Sequence, residues 1–153
     1  LKSKVKDALN KLHLGKLTYL FLTVQSLFTM QTTDAGAVFD GKGQKNHKKM
    51  IFAAAMNFRA EGGGVLMAPG ADAQDGKLSV CMAWGIPKWR TFLCLPLLVT
   101  ANHLRIRGFE VTNCKEYDLK LKTPMVLHAD GEYCGDVTEM HFQCLPKKLH
   151  VMW

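Results

Sequence analysis

The sequence contains no run of the roughly 20 apolar residues that a helix needs to cross a bilayer. Its most apolar stretch, Thr91 to Ala101, is interrupted by Pro96. It also lacks a Cys-x-x-Cys pair, and its 5 cysteines are an odd number. Zinc and iron–sulfur sites usually draw ligands from close pairs, and secreted disulfide frameworks use even counts, so reduced thiols and a cytoplasmic setting are expected. No internal repeat of solenoid or propeller period is present. Acid is scarce as well. The chain carries 13 Asp and Glu against 20 Lys and Arg, a net charge of +7, which favours phosphate-bearing partners. Residue 1 is Leu, and no secretory cleavage pattern follows, so the sequence reads as part of a longer chain.

What is present is an ordinary globular mixture. With 153 residues, 48% hydrophobic and 22% charged, the chain is long enough to bury a core without metals or disulfides. A single domain over 1–153 is expected. Leu17, Leu20, Phe21, Val24, Leu27 and Phe28 repeat at helical spacing, which predicts a helix over Lys16 to Met30. Leu1, Val5, Leu9 and Leu12 predict another before Gly15. A third is predicted over Pro87 to Asn102, with Pro96 in its middle.

The remainder reads as strands. Val38-Phe39, Met50 to Asn57, Leu78 to Ala83, Leu104 to Ile106, Phe109 to Val111, Leu119 to Leu121, Met125 to Leu127, Met140 to Cys144 and Leu149 to Val151 are all short apolar runs or alternations. Gly108 predicts a bulge. Met50 to Asn57, apolar throughout, predicts burial on both faces. The expected fold is mainly β (α+β): a two-sheet antiparallel β-sandwich with N-terminal amphipathic helices and one inserted helix.

Three places offer chemistry. Gly62-Gly63-Gly64 suits a close backbone approach, but no Walker or dinucleotide motif surrounds it. Asp72 and Asp75 crowd oxygen ligands into one turn, as a hard cation needs, although Asp75-Gly76 is also the commonest turn dipeptide and spacing alone favours the plain turn. His128-Ala129-Asp130-Gly131-Glu132 sets a carboxylate after a turn, where it either takes a proton in a cleft or sits solvated at a hairpin tip. Lys42, Lys45, His47, Lys48 and Lys49 read as a solvated loop. With no helix-turn-helix, zinc-finger or aromatic RNA-binding signature beside it, no nucleic-acid partner is expected. His103, His141 and His150 read as surface or satisfied histidines.

The ordered series Asn57, Gly62-Gly63-Gly64, Ala68-Pro69, Ala71, Asp75-Gly76-x-Leu78, Asp130-Gly131-Glu132 and Pro146 resembles the C-terminal lobe of the diacylglycerol kinase family. That family includes YegS-like, sphingosine and ceramide lipid kinases. The resemblance runs from the Gly15-Lys16-Leu17 segment to Leu149. It implies a second lobe, with ATP held mainly by an N-terminal lobe whose Gly-Gly-Asp-Gly-Thr motif is missing here, so this chain alone would be inactive. It implies that Glu132 is the general base toward a lipid hydroxyl. It further implies a structural Mg²⁺ site built from Asp75 with the backbone carbonyls of Asp72 and Lys77. The acceptor would be a lipid alcohol such as diacylglycerol or a sphingoid-like base, met at an anionic membrane surface. Lys88, Trp89, Arg90, Phe92 and Leu93 either supply a basic and aromatic surface for that contact or belong to an ordinary amphipathic helix packed on the sandwich. The alternative is a non-catalytic lipid- or membrane-binding β-sandwich module.

Overall fold

A computed structural model describes residues 30–61 and 64–148. The two helices expected before Met30, Gly62-Gly63 and the strand expected at Leu149 to Val151 fall outside the described residues. Six strands follow in order: β1 (Thr33–Phe39), β2 (Lys45–Met56), β3 (Leu78–Trp84), β4 (Phe109–Cys114), β5 (Glu116–Ala129) and β6 (Glu132–Gln143). One helix, α1 (Lys88–Val99), and a three-residue 3₁₀ turn at His103–Arg105 lie between β3 and β4. Leu119 to Leu121 and Met125 to Leu127 belong to one strand, joined across a register shift between Lys120 and Met125. Leu104 lies in the 3₁₀ turn and not in a strand.

The expected mainly antiparallel architecture is present, but its two layers are not separate sheets. All six strands form one sheet in the order β4-β3-β2-β1-β5-β6. The physical reason lies in β2. Its first half pairs with β1, from Lys45 to Met50. Its second half pairs with β3, from Met50 to Met56. Between them Lys49 adopts a positive φ of 53° and the register shifts. Such a bulge bends a strand and lets it serve both layers of a sandwich. The Asp34 carboxylate accepts the Lys49 N–H at 3.0 Å and holds the bend.

The opposite side of the fold is closed by covalent continuity. Only Lys115 separates β4 from β5, although these strands stand four places apart in the sheet. The Asp40 carboxylate accepts the backbone N–H groups of Lys115 and Glu116 at 2.7 and 3.1 Å. Those two bonds hold the Asp40 carboxyl below its ordinary range. The corner puts β3 and β5 face to face. Flat strands three places apart would be about 14 Å from each other, yet the Tyr117 hydroxyl lies 3.5 Å from the Met82 sulfur.

The core between the layers contains Ala35, Ala37, Phe39, Met50, Leu78, Val80, Met82, Cys114, Tyr117, Leu119 and Leu121. Tyr117 stacks on Phe39 and Phe142 with ring centroids 5.1 and 5.8 Å apart. A second core lies outside β3, where Ile51, Met67, Cys81, Ala83 and Phe109 meet Cys94 and Leu98 of α1. The strand buried on both faces is therefore β3, not the second half of β2, whose Phe52 to Met56 are half-buried. Helix α1 covers β3 and leaves that part of β2 less protected. Burial pushes the Cys81 thiol up to about 12 and Cys114 up to about 11, so both act as apolar filling.

His47 was expected in a solvated loop with its neighbouring lysines, but β2 begins at Lys45. Lys45 pairs with Glu110 at 2.7 Å, and His47 is buried against Trp84 with ring centroids 4.3 Å apart. Its Nε2 has no partner among the described residues. Desolvation lowers its pKa, with Glu110 opposing. The folded state thus binds the proton less readily than the unfolded chain. Stability is full above pH 6.5 and falls as the pH drops from that value toward the lowered folded pKa. The expected slope approaches about 1.4 kcal/mol per pH unit for one proton. Melting temperatures between pH 7.5 and 5.5 test this, because a His47→Gln protein should lose less of its melting temperature over that interval. An unchanged slope would exclude His47 as the cause.

Candidate functional site

Glu132 opens β6 at the end of the β5–β6 hairpin. Ala129 pairs with Glu132, which leaves Asp130 and Gly131 as a two-residue loop, and both have positive φ, 48° and 90°. This is the type I′ geometry that an Asp-Gly pair adopts readily. Glu132 is exposed, and among the described residues its carboxylate has no hydrogen bond or ion pair. Two residues on, the Cys134 thiol lies 3.5 Å from the Glu132 carbonyl. The Tyr133 hydroxyl donates to Asp136 at 3.2 Å, and the Asp136 charge raises its pKa.

The hairpin overhangs the sheet. β1 pairs with β5 only between Tyr117 and Leu121, and Thr33 holds Thr123 through its N–H at 2.9 Å and its hydroxyl at 2.8 Å. Beyond Thr123 the ladder consists, among the described residues, of β5 and β6 alone, with Val126 and Tyr133 exposed. A bare two-stranded ribbon is marginal in water, so this arm is suited to packing against something further.

The Asp72–Lys77 turn lies elsewhere. Asp75 accepts the Lys77 N–H at 2.8 Å and Asp72 accepts the Gln74 N–H at 2.9 Å, each through its Oδ1. The Asp72 carbonyl accepts the Asp75 N–H at 3.3 Å. These are two consecutive Asx turns. The donor set is all oxygen, the chemistry Mg²⁺ selects, but its geometry is that of a turn satisfying its own backbone. Among the described residues no group of three His, Cys, Asp or Glu stands ready to hold a metal ion.

The structure does not join Glu132 to this turn. Gly76 lies beside Pro146, which follows β6, and Leu78 pairs with Cys114 next to the Lys115 corner. Glu132 sits at the other end of β5, a 14-residue strand.

Sequence reasoning missed one feature here. A cleft of about 520 Å³ opens beside Asp72, lined by Asn57, Phe58, Arg59 and Ala60 on one side and Ala71 to Gln74 on the other. The Arg59 Nε donates to the Ala71 carbonyl at 3.4 Å and ties the two sides together. The Asn57 that ends the apolar run was the available signal. His103, read from the sequence as a surface or satisfied histidine, is the satisfied kind: it is fully buried with its Nε2 3.1 Å from the Met67 carbonyl. A carbonyl only accepts, so Nε2 carries the proton. The 3₁₀ turn thereby clamps the loop that leads into the Asp72 turn.

One antiparallel sheet bent into two layers, with a helix inserted between its third and fourth strands, defines a β-sandwich-like domain. The chain belongs to the family described as the YegS C-terminal NAD kinase beta sandwich-like domain, whose model matches residues 1–153. It is 25% identical over 134 residues to proteins named diacylglycerol kinase in two strains of Mycobacterium tuberculosis, CDC 1551 / Oshkosh and ATCC 25618 / H37Rv. That match covers 86% of this chain and 42% of each relative, so the chain spans less than half of their length. A solved structure of a Bacillus anthracis str. Sterne protein, put forward as a diacylglycerol kinase, superposes with a TM-score of 0.61 at 12% identity. It covers 80% of this chain and 41% of that one. At that identity the likeness establishes the fold.

Proposed function

We propose that this domain is the C-terminal, substrate-side lobe of an ATP-dependent lipid kinase of the diacylglycerol kinase type. The observation that carries the reading is the Glu132 carboxylate at the tip of a two-stranded arm that overhangs the sheet. A catalytic base that works between two lobes has to reach beyond its own core, and this arm offers Glu132 to a neighbouring lobe. The diacylglycerol kinase relatives are more than twice the matched length, which leaves room for an N-terminal lobe that binds ATP.

In this reading Glu132 accepts the proton of a lipid hydroxyl as the hydroxyl oxygen attacks the γ-phosphorus of ATP. The bond from that phosphorus to the β–γ bridging oxygen breaks, ADP departs, and the lipid leaves as its phosphate ester. Phosphoryl transfer needs positioning and charge stabilisation more than covalent help, which suits a lobe contributing one carboxylate. Asp75, with the carbonyls of Asp72 and Lys77, would hold a Mg²⁺ ion whose part is to stiffen the turn. The substrate is a lipid alcohol, diacylglycerol or a sphingoid-like base. The protein works at the cytoplasmic face of a membrane, associated peripherally. Among the described residues no helix is long and apolar enough to cross it.

Transfer of labelled γ-phosphate from ATP by the full-length protein to a panel of diacylglycerols, ceramides and sphingoid bases tests the reading. Incorporation into at least one of them is expected. A folded protein that labels none overturns it.

A further inference from the structure

Helix α1 shows an apolar face on both sides. Thr91, Cys94 and Leu98 are buried toward β3. On the opposite side Trp89, Leu93 and Pro96, at i, i+4 and i+7, are exposed, Trp89 by 66% and Leu93 by 56%. A helix lying on a soluble core ordinarily turns charged residues outward. The same surface continues past the helix end with Val99, 53% exposed, and with Leu104, 41% exposed, in the 3₁₀ turn packed against it.

Charge indicates the occupant. Between Asp75 and Glu110 the sequence has no acid at all, while Lys77, Lys88, Arg90, Arg105 and Arg107 occur there. The Arg90 guanidinium lies 5.8 Å from the Trp89 ring, and Arg105 and Arg107 are exposed beside Leu104. Apolar side chains led by a Trp, with cations and no acids in the same stretch of sequence, complement a surface that is anionic outside and apolar just beneath. A protein partner or a second copy of this chain would match the apolar part but leave the unopposed positive charge unexplained.

We propose that the outer face of α1 and the following 3₁₀ turn form the docking surface of this protein on an anionic lipid bilayer. Trp89 and Leu93 enter the headgroup boundary, and Arg90, Arg105 and Arg107 face the lipid phosphates. The choice of a bilayer rests on the lipid-kinase reading, but its test does not use catalysis.

Sedimentation of the full-length protein with vesicles of phosphatidylcholine alone, or with one quarter phosphatidylglycerol, provides that test, without ATP or substrate lipid. At 0.1 M salt at least tenfold stronger binding to the anionic vesicles is expected, weakening several-fold at 0.5 M. Arg105→Glu/Arg107→Glu and Trp89→Ser/Leu93→Ser should each lose at least tenfold, with circular dichroism and melting temperature kept, since each cation near an anionic surface is worth about fivefold in binding. Glu132→Gln should bind like the unaltered protein. Absent or salt-independent binding by the unaltered protein overturns the proposal, and this outcome needs no variant to fold. Unchanged binding by both folded double variants also overturns it, as does loss of a dimer in Trp89→Ser/Leu93→Ser without loss of vesicle binding. Vesicle binding without phosphorylation of any lipid would remove the kinase reading and leave the docking face standing. Phosphorylation of detergent-dispersed lipid without vesicle binding would do the reverse.

Discussion

Glu132→Gln in the full-length protein is expected to lower kcat for lipid phosphorylation by about 10²–10⁴-fold, the usual contribution of a positioned general base. KM for the lipid should change little, because the lost interaction belongs to the transition state. Gln keeps the size of Glu but cannot take a proton. The fold should not register the change: Glu132 is exposed, its turn is set by Asp130 and Gly131, and exposed substitutions usually stay within about 0.5 kcal/mol. A melting temperature within about 2 °C of the unaltered protein, together with the loss of turnover, is the combined signature. Retained turnover would take the base role from Glu132 and return it to a solvated hairpin tip.

Tyr117→Ala should destabilise the domain by about 3–5 kcal/mol, the range for deleting a large buried ring. Tyr117 is the largest of the fully buried side chains and the middle of a three-ring stack with Phe39 and Phe142. Its position one residue inside β5, beside the Lys115 corner, makes it the piece that joins the two layers. Against a total stability of about 5–15 kcal/mol, such a loss leaves the domain marginal. Tyr117→Phe provides the comparison, since it gives up only the contact between the hydroxyl and the Met82 sulfur and should cost less than about 1.5 kcal/mol. Urea unfolding measures both. Equal costs for the two variants would show that the hydroxyl, and not the ring stack, joins the layers.

The parts of this fold that were legible in the sequence are local. Asp130-Gly131 between two alternating runs announced its hairpin, and Gly108 announced an irregular backbone. The latter has a φ of 105°, and an added Cβ would meet the Trp84 carbonyl. Pro87 marked the start of α1 correctly, at its N-cap. On spacing alone Asp72 and Asp75 read as a turn ahead of a cation site, and their hydrogen bonds are those of a turn. What stayed hidden depends on residues far apart. Nothing near Lys49 announces that β2 bends to serve two layers, because the bend is stabilised by Asp34, fifteen positions earlier. Asp40 stands before Gly41 as in a local turn, yet its work at the corner involves N–H groups 75 and 76 positions away. His47 sat among lysines, and its burial follows from the bend that places it on Trp84. The candidate site divides in the same way. The tip that holds Glu132 was legible, whereas the overhang of its arm follows from how short a stretch β1 shares with β5.

The β1–β5 pairing also sets a schedule. Among the described residues every other ladder joins strands that follow one another along the chain, while this one pairs Ala35 with Leu121. At about 5–20 residues per second of synthesis, the interval between the two partners is roughly 4–17 s. Throughout that wait the nascent chain holds a strand with one open edge and an uncovered inner face, the state from which edge-to-edge aggregation starts. Lys45 and Lys48 lie one strand away from that edge, on β2, and place positive charge near it, the kind of charge that discourages edge-to-edge pairing.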